Sequence, residues 1–421
     1  MTDEAKLSML NELLTWARRA PFYRERLPQE PLASLDELRQ VPITTKEDLR
    51  EQSPFGLVCV PPEERYDYYE SFGTTGRPVS IWLNRDDFVA TARQVARLGV
   101  DLRPDDVVLI RFPYAISQIA HVFHAAAHLR GACAIPASSR STISPFTRII
   151  HMMRELQVSV LACLPLQALL LAETAQLVGL DPRRDFASLR AICTAGEPLP
   201  APRRALLEEL WGVPIFDIYG MTEIGTAAVD CPHGRMHPLE DDFIFEIVQD
   251  DLATPAAPGA VGHLVVTALK RRATPVFRYL TGDLARVVPE ACACGARTRL
   301  ELRGRAADAI AVQERRFDLA DLESIAGTVR GRRLWVVGPA RDDAGLHFVV
   351  EVIDPQSRLD PQALGRLERA FGVEIRLDLV PVGTLFDRRE LLQVGVVGKP
   401  RYVYTAQEME SGAYRDPGAG L

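Results

Sequence analysis

Ser71-Phe72-Gly73-Thr74-Thr75-Gly76-Arg77-Pro78 sets two threonines between two glycines and closes with a proline. Glycines let a backbone approach a phosphate closely, and threonine hydroxyls and free N–H groups are donors for the anion. A Walker loop needs Gly-Lys-Ser/Thr running into a helix. Here Arg77-Pro78 runs into Val79-Ser80-Ile81-Trp82, a strand pattern, and Tyr66-Asp67-Tyr68-Tyr69-Glu70 before it also reads as a strand. The segment is a phosphate loop at the tip of a hairpin, which points to a different class of ATP enzyme. Asp217-Ile218-Tyr219-Gly220-Met221-Thr222-Glu223 follows a strand end, where α/β sheets place ligands. Its ring, hydroxyl and carboxylate suit a base, a phosphate and Mg2+. Thr194-Ala195-Gly196-Glu197-Pro198 also follows a strand, and Asp283 in Tyr279-Leu280-Thr281-Gly282-Asp283 is placed in a tight turn to accept from ribose hydroxyls. Any one of these segments alone reads better as an ordinary turn; it is their order along one chain that carries weight.

The elements that must position them follow from the hydrophobic pattern. A helix is predicted over 4–19. From about 105 to 230, β-rich runs (107–110, 132–135, 158–163, 190–193, 214–217) alternate with helical ones (119–129, 144–156, from 165, 202–211). Such alternation predicts crossover units on a mainly parallel sheet. Residues 241–290 read as antiparallel, with 243–247 turning through 255–262 into 263–267. Beyond Arg303-Gly304-Arg305 come short β and α segments (334–337, 348–352, 361–371, 374–377), a small α+β domain of plausible size. The fold class is α/β: a large N-terminal part with mainly parallel sheets flanked by helices, a β-rich subdomain, and a small C-terminal α+β domain.

Taken together, the four segments resemble the signature set of the adenylate-forming superfamily (acyl-CoA synthetases, adenylation domains, luciferases), and within it the phenylacetate–CoA ligase branch. The resemblance covers about residues 5–400 and implies an ATP-dependent, AMP-forming ligase for a small, aromatic carboxylic acid. It implies that Ser71, Gly73, Thr74, Thr75 and Gly76 hold the β- and γ-phosphates. Gly196 and Glu197 would line the adenine, Tyr219 stack on it, Thr222 touch the α-phosphate and Glu223 hold Mg2+. Asp283 and Arg305 would bind the ribose. Lys399, in Gly398-Lys399-Pro400, matches the lysine that enters the site for adenylation, and Asp308, in Gly304-Arg305-Ala306-Ala307-Asp308, the hinge of a mobile small domain. The implied division is 1–303 for the large adenylation part, 304–308 for the hinge, 309–406 for the small domain and 407–421 for a disordered tail. The chemistry agrees: a carboxylate oxygen is a poor leaving group, attack on the α-phosphate makes an acyl adenylate, a mixed anhydride with AMP as a good leaving group, and the transition state gathers negative charge that suits Mg2+ and an ammonium.

Cys231-Pro232-His233-Gly234-Arg235-Met236-His237 and Cys292-Ala293-Cys294-Gly295 together offer a tetrahedral Cys3His zinc site, closed and therefore structural. The similar family pattern favours His237 over His233. His121, His124 and His128 share one helix face without a carboxylate and read as a pocket wall or as satisfied core histidines. By the resemblance that helix lies near the acyl pocket, which makes Phe112, Tyr114, Ile116, His121 and His124 candidates to shape the substrate. One stretch departs from the family. After Asp308, Ala311-Val312-Gln313-Glu314-Arg315-Arg316-Phe317-Asp318-Leu319 lacks the glycine and proline usual there, and Glu314 or Arg315 would crowd the pantetheine tunnel. The acceptor is therefore CoA, a carrier-protein thiol, or an amine. Phe72 also stands where the family has a small residue.

Bulk properties bound the alternatives. At 421 residues the chain exceeds one ordinary core. A net charge of −7 argues against nucleic-acid and anionic-membrane partners. The run 158–172 is broken by Pro165 and Gln167 and is too short for a bilayer. No signal peptide is visible, so a cytoplasmic location is expected, and seven cysteines in such a chain are not expected to form disulfides. Lysine is scarce, at Lys6, Lys46, Lys270 and Lys399. The partners expected are a small acid and either CoA or an acyl carrier protein, and a homodimer is compatible with the resemblance. Two other readings stay open: an adenylating enzyme acting on an unusual oxyacid in specialised metabolism, and a non-catalytic nucleotide-binding relative, against which Glu223, Asp283 and Lys399 speak.

Overall fold

The computed structural model describes residues 1–71, 77–139, 141–341, 345–354, 361–392 and 401–415. Phe72, Gly73, Thr74, Thr75, Gly76 and Lys399 lie outside the described residues. The hairpin read from the sequence forms as β1 (Asp67–Glu70) and β2 (Ser80–Leu83), paired antiparallel. Val-Val-Leu-Ile and similar unbroken apolar runs then form strands buried on both faces, as parallel strands must be. These are β3 (Val107–Ile110), β5 (Val160–Cys163), β6 (Ala191–Ala195) and β7 (Ile215–Met221), whereas β4 (Cys133–Pro136) is the exposed edge strand. With antiparallel β8 (Gly225–Asp230) and β9 (Met236–Pro238) they make a seven-stranded sheet in the order β4-β3-β5-β6-β7-β8-β9. The crossovers are the helices Gln118–Leu129, Phe146–Glu155, Pro165–Leu177 and Ala201–Trp211. Proline opens the last two at the first turn, where its missing N–H costs nothing.

A second sheet is antiparallel: β10 (Phe243–Val248), β11 (Gly262–Ala268), β12 (Tyr279–Pro289) and β13 (Thr298–Arg305). Asp283 therefore sits inside a long strand and not in a tight turn. The adjacent Gly282 has φ +79 and the β11–β12 register slips nearby, so a local irregularity does the turning. After the short helix Ala306–Asp308 come the hairpin β14 (Ile310–Val312) and β15 (Arg315–Phe317), then a three-stranded sheet of β16 (Arg332–Pro339), β17 (Gly345–Val352) and β18 (Glu374–Pro381). The tail expected to be disordered from 407 instead begins with helix Ala406–Ser411, capped by Thr405 with Glu408 returning the bond in a capping box.

One core cluster joins the N-terminal helix Asp3–Ala17 to the antiparallel sheet and one face of the large sheet. A second fills the other face and continues into the C-terminal third through Leu334, Val336, Leu385 and Leu391. On β16 the alternate residues Trp335 and Val337 point the other way, into a third cluster that belongs to the C-terminal third alone. Among the described residues no helix is long and apolar enough to cross a membrane.

Candidate functional site

Gly196 and Glu197 follow β6, and Tyr219, Thr222 and Glu223 lie at or just after the end of β7, the carboxyl ends of parallel strands where such sheets place ligands. Ser71 closes the neck of the phosphate loop: its N–H donates to Val79 O and its Oγ accepts from Val79 N, both at 3.0 Å. Its hydroxyl oxygen thereby helps hold the loop ends together.

Tyr219, near the end of β7, donates its hydroxyl to Asp283 Oδ2 at 2.6 Å. Arg305, the last residue of β13, pairs through Nε with Asp283 Oδ1 at 3.1 Å and donates to Thr281 O at 2.8 Å. Register explains the meeting, because Asp283 and Arg305 are directly paired across β12 and β13. Burial, then the Asp283 carboxylate, pushes the Tyr219 phenol well above its usual range, so it remains a donor. Asp283 in turn holds the Arg305 guanidinium above its ordinary value.

The turn from β7 to β8 carries Thr222 and Glu223. It is tight: a Cβ on Gly220 would lie 2.3 Å from Gly225 O, and one on Gly225, at φ +84, 2.6 Å from the Arg271 guanidinium. Only glycine fits there. Glu223 is 3% exposed. The Tyr279 hydroxyl donates to it, and burial with Glu223 close by raises that phenol. Facing Glu223 is Lys46, a residue the sequence reading did not place in the site. Thr44 bonds across to the start of β12 (Leu280 N to Thr44 O, 2.9 Å), and Thr45 caps the helix Lys46–Gln52 that opens on Lys46. Burial holds the Lys46 ammonium below its usual range while Glu223 opposes that shift. The one sequence signal for Lys46 was the scarcity of lysine. Glu197 accepts from Leu166 N at 3.1 Å, which ties it to the first turn of helix Pro165–Leu177. Neighbouring Gly196 has φ +82.

The acyl candidates divide. Tyr114 donates or accepts with His124 Nδ1 at 3.2 Å, and His121 Nε2 lies 2.9 Å from Tyr114 O. Ile116 is 55% exposed with φ +59, a strained setting for a β-branched residue. Its carbonyl accepts from Glu70 N at 3.0 Å, fastening this loop to the phosphate hairpin. Phe112, by contrast, is 1% exposed and packs against Phe123; it belongs to the core. Asp308 ends an exposed short helix beside Arg305. The departing stretch forms the β14–β15 turn, with Gln313 at φ +54. Arg315 swings from that turn to donate to Phe371 O at the end of helix Pro361–Phe371.

Cys231, His237, Cys292 and Cys294 bring one ligand atom each within 4.8 Å of all the others. Cys231 Sγ is 3.7 Å from Cys292 Sγ, and Cys294 Sγ 3.4 Å from His237 Nε2. Sulfurs on tetrahedral Zn2+, with bonds of about 2.3 Å, lie roughly 3.7 Å apart. His237 Nδ1 sits 2.5 Å from Thr298 O, the outer hydrogen bond that leaves Nε2 for a metal. The Cys294 backbone N–H leads the effects that hold the Cys292 thiol down at about 6, which favours the ligating thiolate. His233 is not in the cluster. All seven cysteines are free of disulfides.

Comparison with known proteins adds three findings. The family profile of AMP-binding enzymes matches residues 71–268. Phenylacetate–coenzyme A ligase of Thermus thermophilus is 33% identical over 66% of this chain and 63% of its own length. The Pseudomonas putida protein of the same name is 31% identical over 66% of each. The chain thus spans just under two-thirds of the length of these relatives. Among solved structures, 2-hydroxyisobutyryl-CoA ligase in its postadenylation state superposes with a TM-score of 0.84 at 24% identity, over 98% of this chain and 91% of that one. The same protein in its thioesterification state scores 0.68. That likeness is one of fold.

Proposed function

The chain belongs to the adenylate-forming superfamily, on its phenylacetate–CoA ligase-like branch, and from that premise we propose that it is an AMP-forming acid–thiol ligase acting on a small, aromatic carboxylic acid. The observation that carries this reading is the Tyr219–Asp283–Arg305 cluster set beside Glu223 and Lys46 at the ligand edge of the sheet. In the first step a carboxylate oxygen attacks the α-phosphorus of ATP, the bond to the bridging oxygen breaks, and pyrophosphate leaves. In the second a thiolate attacks the acyl carbon, and AMP leaves with the former carboxylate oxygen. Asp283 and Arg305 hold the ribose, Gly196, Glu197 and the Tyr219 ring border the adenine, and Thr222 faces the α-phosphate. Loop 71–76 takes the β- and γ-phosphates. Lys399 supplies an ammonium for the charge that develops at the α-phosphate, and Lys46 a second on the Glu223 side.

Mg2+ fits the donor set at Glu223 and Thr222, a buried carboxylate and a hydroxyl, both hard oxygen ligands. When bound it would neutralise phosphate charge. Zinc fits Cys231, His237, Cys292 and Cys294, where it would tie the β8–β9 turn to the β12–β13 turn as a structural clamp. Purified protein is expected to contain close to one zinc per chain by metal analysis. Cys294→Ser is expected to lose most of it and to lower Tm by about 5 °C or more. Zinc-free wild type of unchanged Tm would remove the assignment.

The hinge is proposed at 304–308 with Asp308, about which the C-terminal segment from 309 would move between the two half-reactions. CoA is the expected acceptor, in line with the relatives. The Gln313–Glu314 turn, without the family's glycine, favours a carrier-protein thiol or an amine as the second reading. The test is acid-dependent ATP–pyrophosphate exchange over a panel of aryl and short acyl acids, followed by CoA with the best acid. Exchange with thioester supports the ligase reading. Exchange without thioester moves the acceptor to a carrier protein or amine, and no exchange with any acid overturns adenylation of a simple acid.

A further inference from the structure

Helix Pro165–Leu177 leaves the ligand edge of β5 and is buried on every side through residue 175. One side rests on the large sheet and the other is covered by the C-terminal third. Against that cover the helix presents one charge, Glu173, 5% exposed. Arg388 Nε donates to Glu173 Oε2 at 2.5 Å, and Arg333 Nε lies 3.3 Å from Oε1. Arg388 also donates to Glu351 Oε2 at 2.5 Å, and Glu351 accepts from Gly383 N (3.0 Å) and Leu385 N (2.8 Å). Two acids and two guanidinium groups thus form one buried, neutral cluster.

Its members are unevenly shared. Arg333, Glu351 and Arg388 all come from the C-terminal third; Glu173 alone comes from the large part. Were the two separated, Arg388 and Glu351 would stay paired, but Glu173 would be left as a lone carboxylate in an apolar helix face. A seating that kept this face covered without the two guanidinium groups would leave a buried charge stripped of its partners, far costlier than a paired one, so the cluster favours this seating of the C-terminal third over other covered ones. The same helix reaches the site. Leu166 N holds Glu197, and Glu173 lies seven residues on, about 10 Å along the axis at 1.5 Å per residue. A second contact flanks the first: Arg203 pairs with Glu323, which accepts from Trp335 Nε1 at 3.2 Å, and Arg203 stacks on Tyr402 at 4.3 Å.

We propose that Glu173 is a positioning residue for the first half-reaction: by gripping Arg388 and Arg333 it seats the C-terminal third in the arrangement in which the acyl adenylate forms. The inference rests on the reading that this chain adenylates an acid with help from Lys399, a residue of that third. It also assigns a task to three charged residues far from the reacting atoms.

The test uses the full chain with Glu173→Gln, which keeps shape and removes charge. The kcat of acid-dependent ATP–pyrophosphate exchange is expected to fall about 10-fold, a modest fraction of what misplacing a reacting group costs. The KM values for acid and ATP, and the affinity for AMP, which the large part binds, should stay within about twofold. Glu173→Asp should recover part of the loss. Unchanged exchange would overturn the proposal, as would loss of AMP affinity in step with kcat, the mark of a merely structural role. Should Glu173→Gln fail to fold, Arg333→Gln removes the 3.3 Å contact to Glu173, together with the bond from Arg333 to Arg332 O, and leaves Arg388 in place; it should lower kcat about threefold with AMP affinity kept, and no change there would overturn the proposal equally. Lys399→Ala, run alongside, separates the two readings: no acid-dependent exchange in wild type sinks the adenylation reading, exchange insensitive to Lys399→Ala removes the role of Lys399 on which this inference rests, and loss in Lys399→Ala with Glu173→Gln intact sinks only the role of Glu173.

Discussion

Glu223→Gln is expected to lower the kcat of acid-dependent ATP–pyrophosphate exchange by ~10²–10³, the loss seen when one positioned electrostatic group is removed from a site. The change is isosteric and keeps an acceptor for the Tyr279 hydroxyl, so the β7–β8 turn should hold its shape. What disappears is the negative charge that faces Lys46 and offers a hard oxygen ligand to Mg2+. With that charge gone, the metal requirement for half-maximal exchange should rise while AMP affinity, which the proposed function assigns to Tyr219, Asp283 and Arg305, changes little. A rise in the Mg2+ requirement together with the fall in kcat is the pattern that identifies the role. A fall in kcat with an unaltered Mg2+ dependence would make Glu223 a structural carboxylate of the turn.

Lys399→Ala carries the second large expectation, again ~10²–10³ in the exchange rate, because an ammonium aimed at charge developing on the α-phosphate is worth most in the transition state. The effect should be confined to that step. The variant should bind AMP like wild type and, given chemically prepared acyl adenylate, should transfer the acyl group at a rate within about twofold of wild type. Equal losses in both halves would instead point to damage shared by them. Unchanged exchange would leave the ammonium at Lys46 as the group that meets the phosphates.

Much of the fold was legible because local pattern and burial agree. Unbroken apolar runs such as Val107–Ile110 can only be strands buried on both faces, and Pro165 marks a helix start that burial then confirms. The phosphate hairpin was visible because strand patterns flank two glycines. Cysteine and histidine spacing brought out the four-ligand cluster, whose closeness then separates His237 from His233. The rest depended on tertiary contact. Lys46 reaches the site from a helix more than 150 residues before Glu223, through a bridge between Thr44 and Tyr279 that no local pattern encodes. Asp283 looked like a turn residue because Gly282 precedes it, yet cross-strand pairing with Arg305 keeps it in β12. Phe112 became a pocket candidate only through the family resemblance, and the structure packs it against Phe123 in the core. Glu173, one acid in an apolar helix, gave no hint of partners at Arg333 and Arg388, since those meet it only when the C-terminal third docks.

The central claim, that a carboxylate oxygen of the substrate becomes bonded to the α-phosphorus, is tested most directly by following that oxygen. The best acid from the exchange panel, labelled with 18O in its carboxylate, is turned over with ATP and acceptor, and the released nucleotide is analysed by mass spectrometry. The account predicts one 18O in AMP and none in pyrophosphate. Label in inorganic phosphate with ADP as the nucleotide product, or AMP free of label, would contradict it.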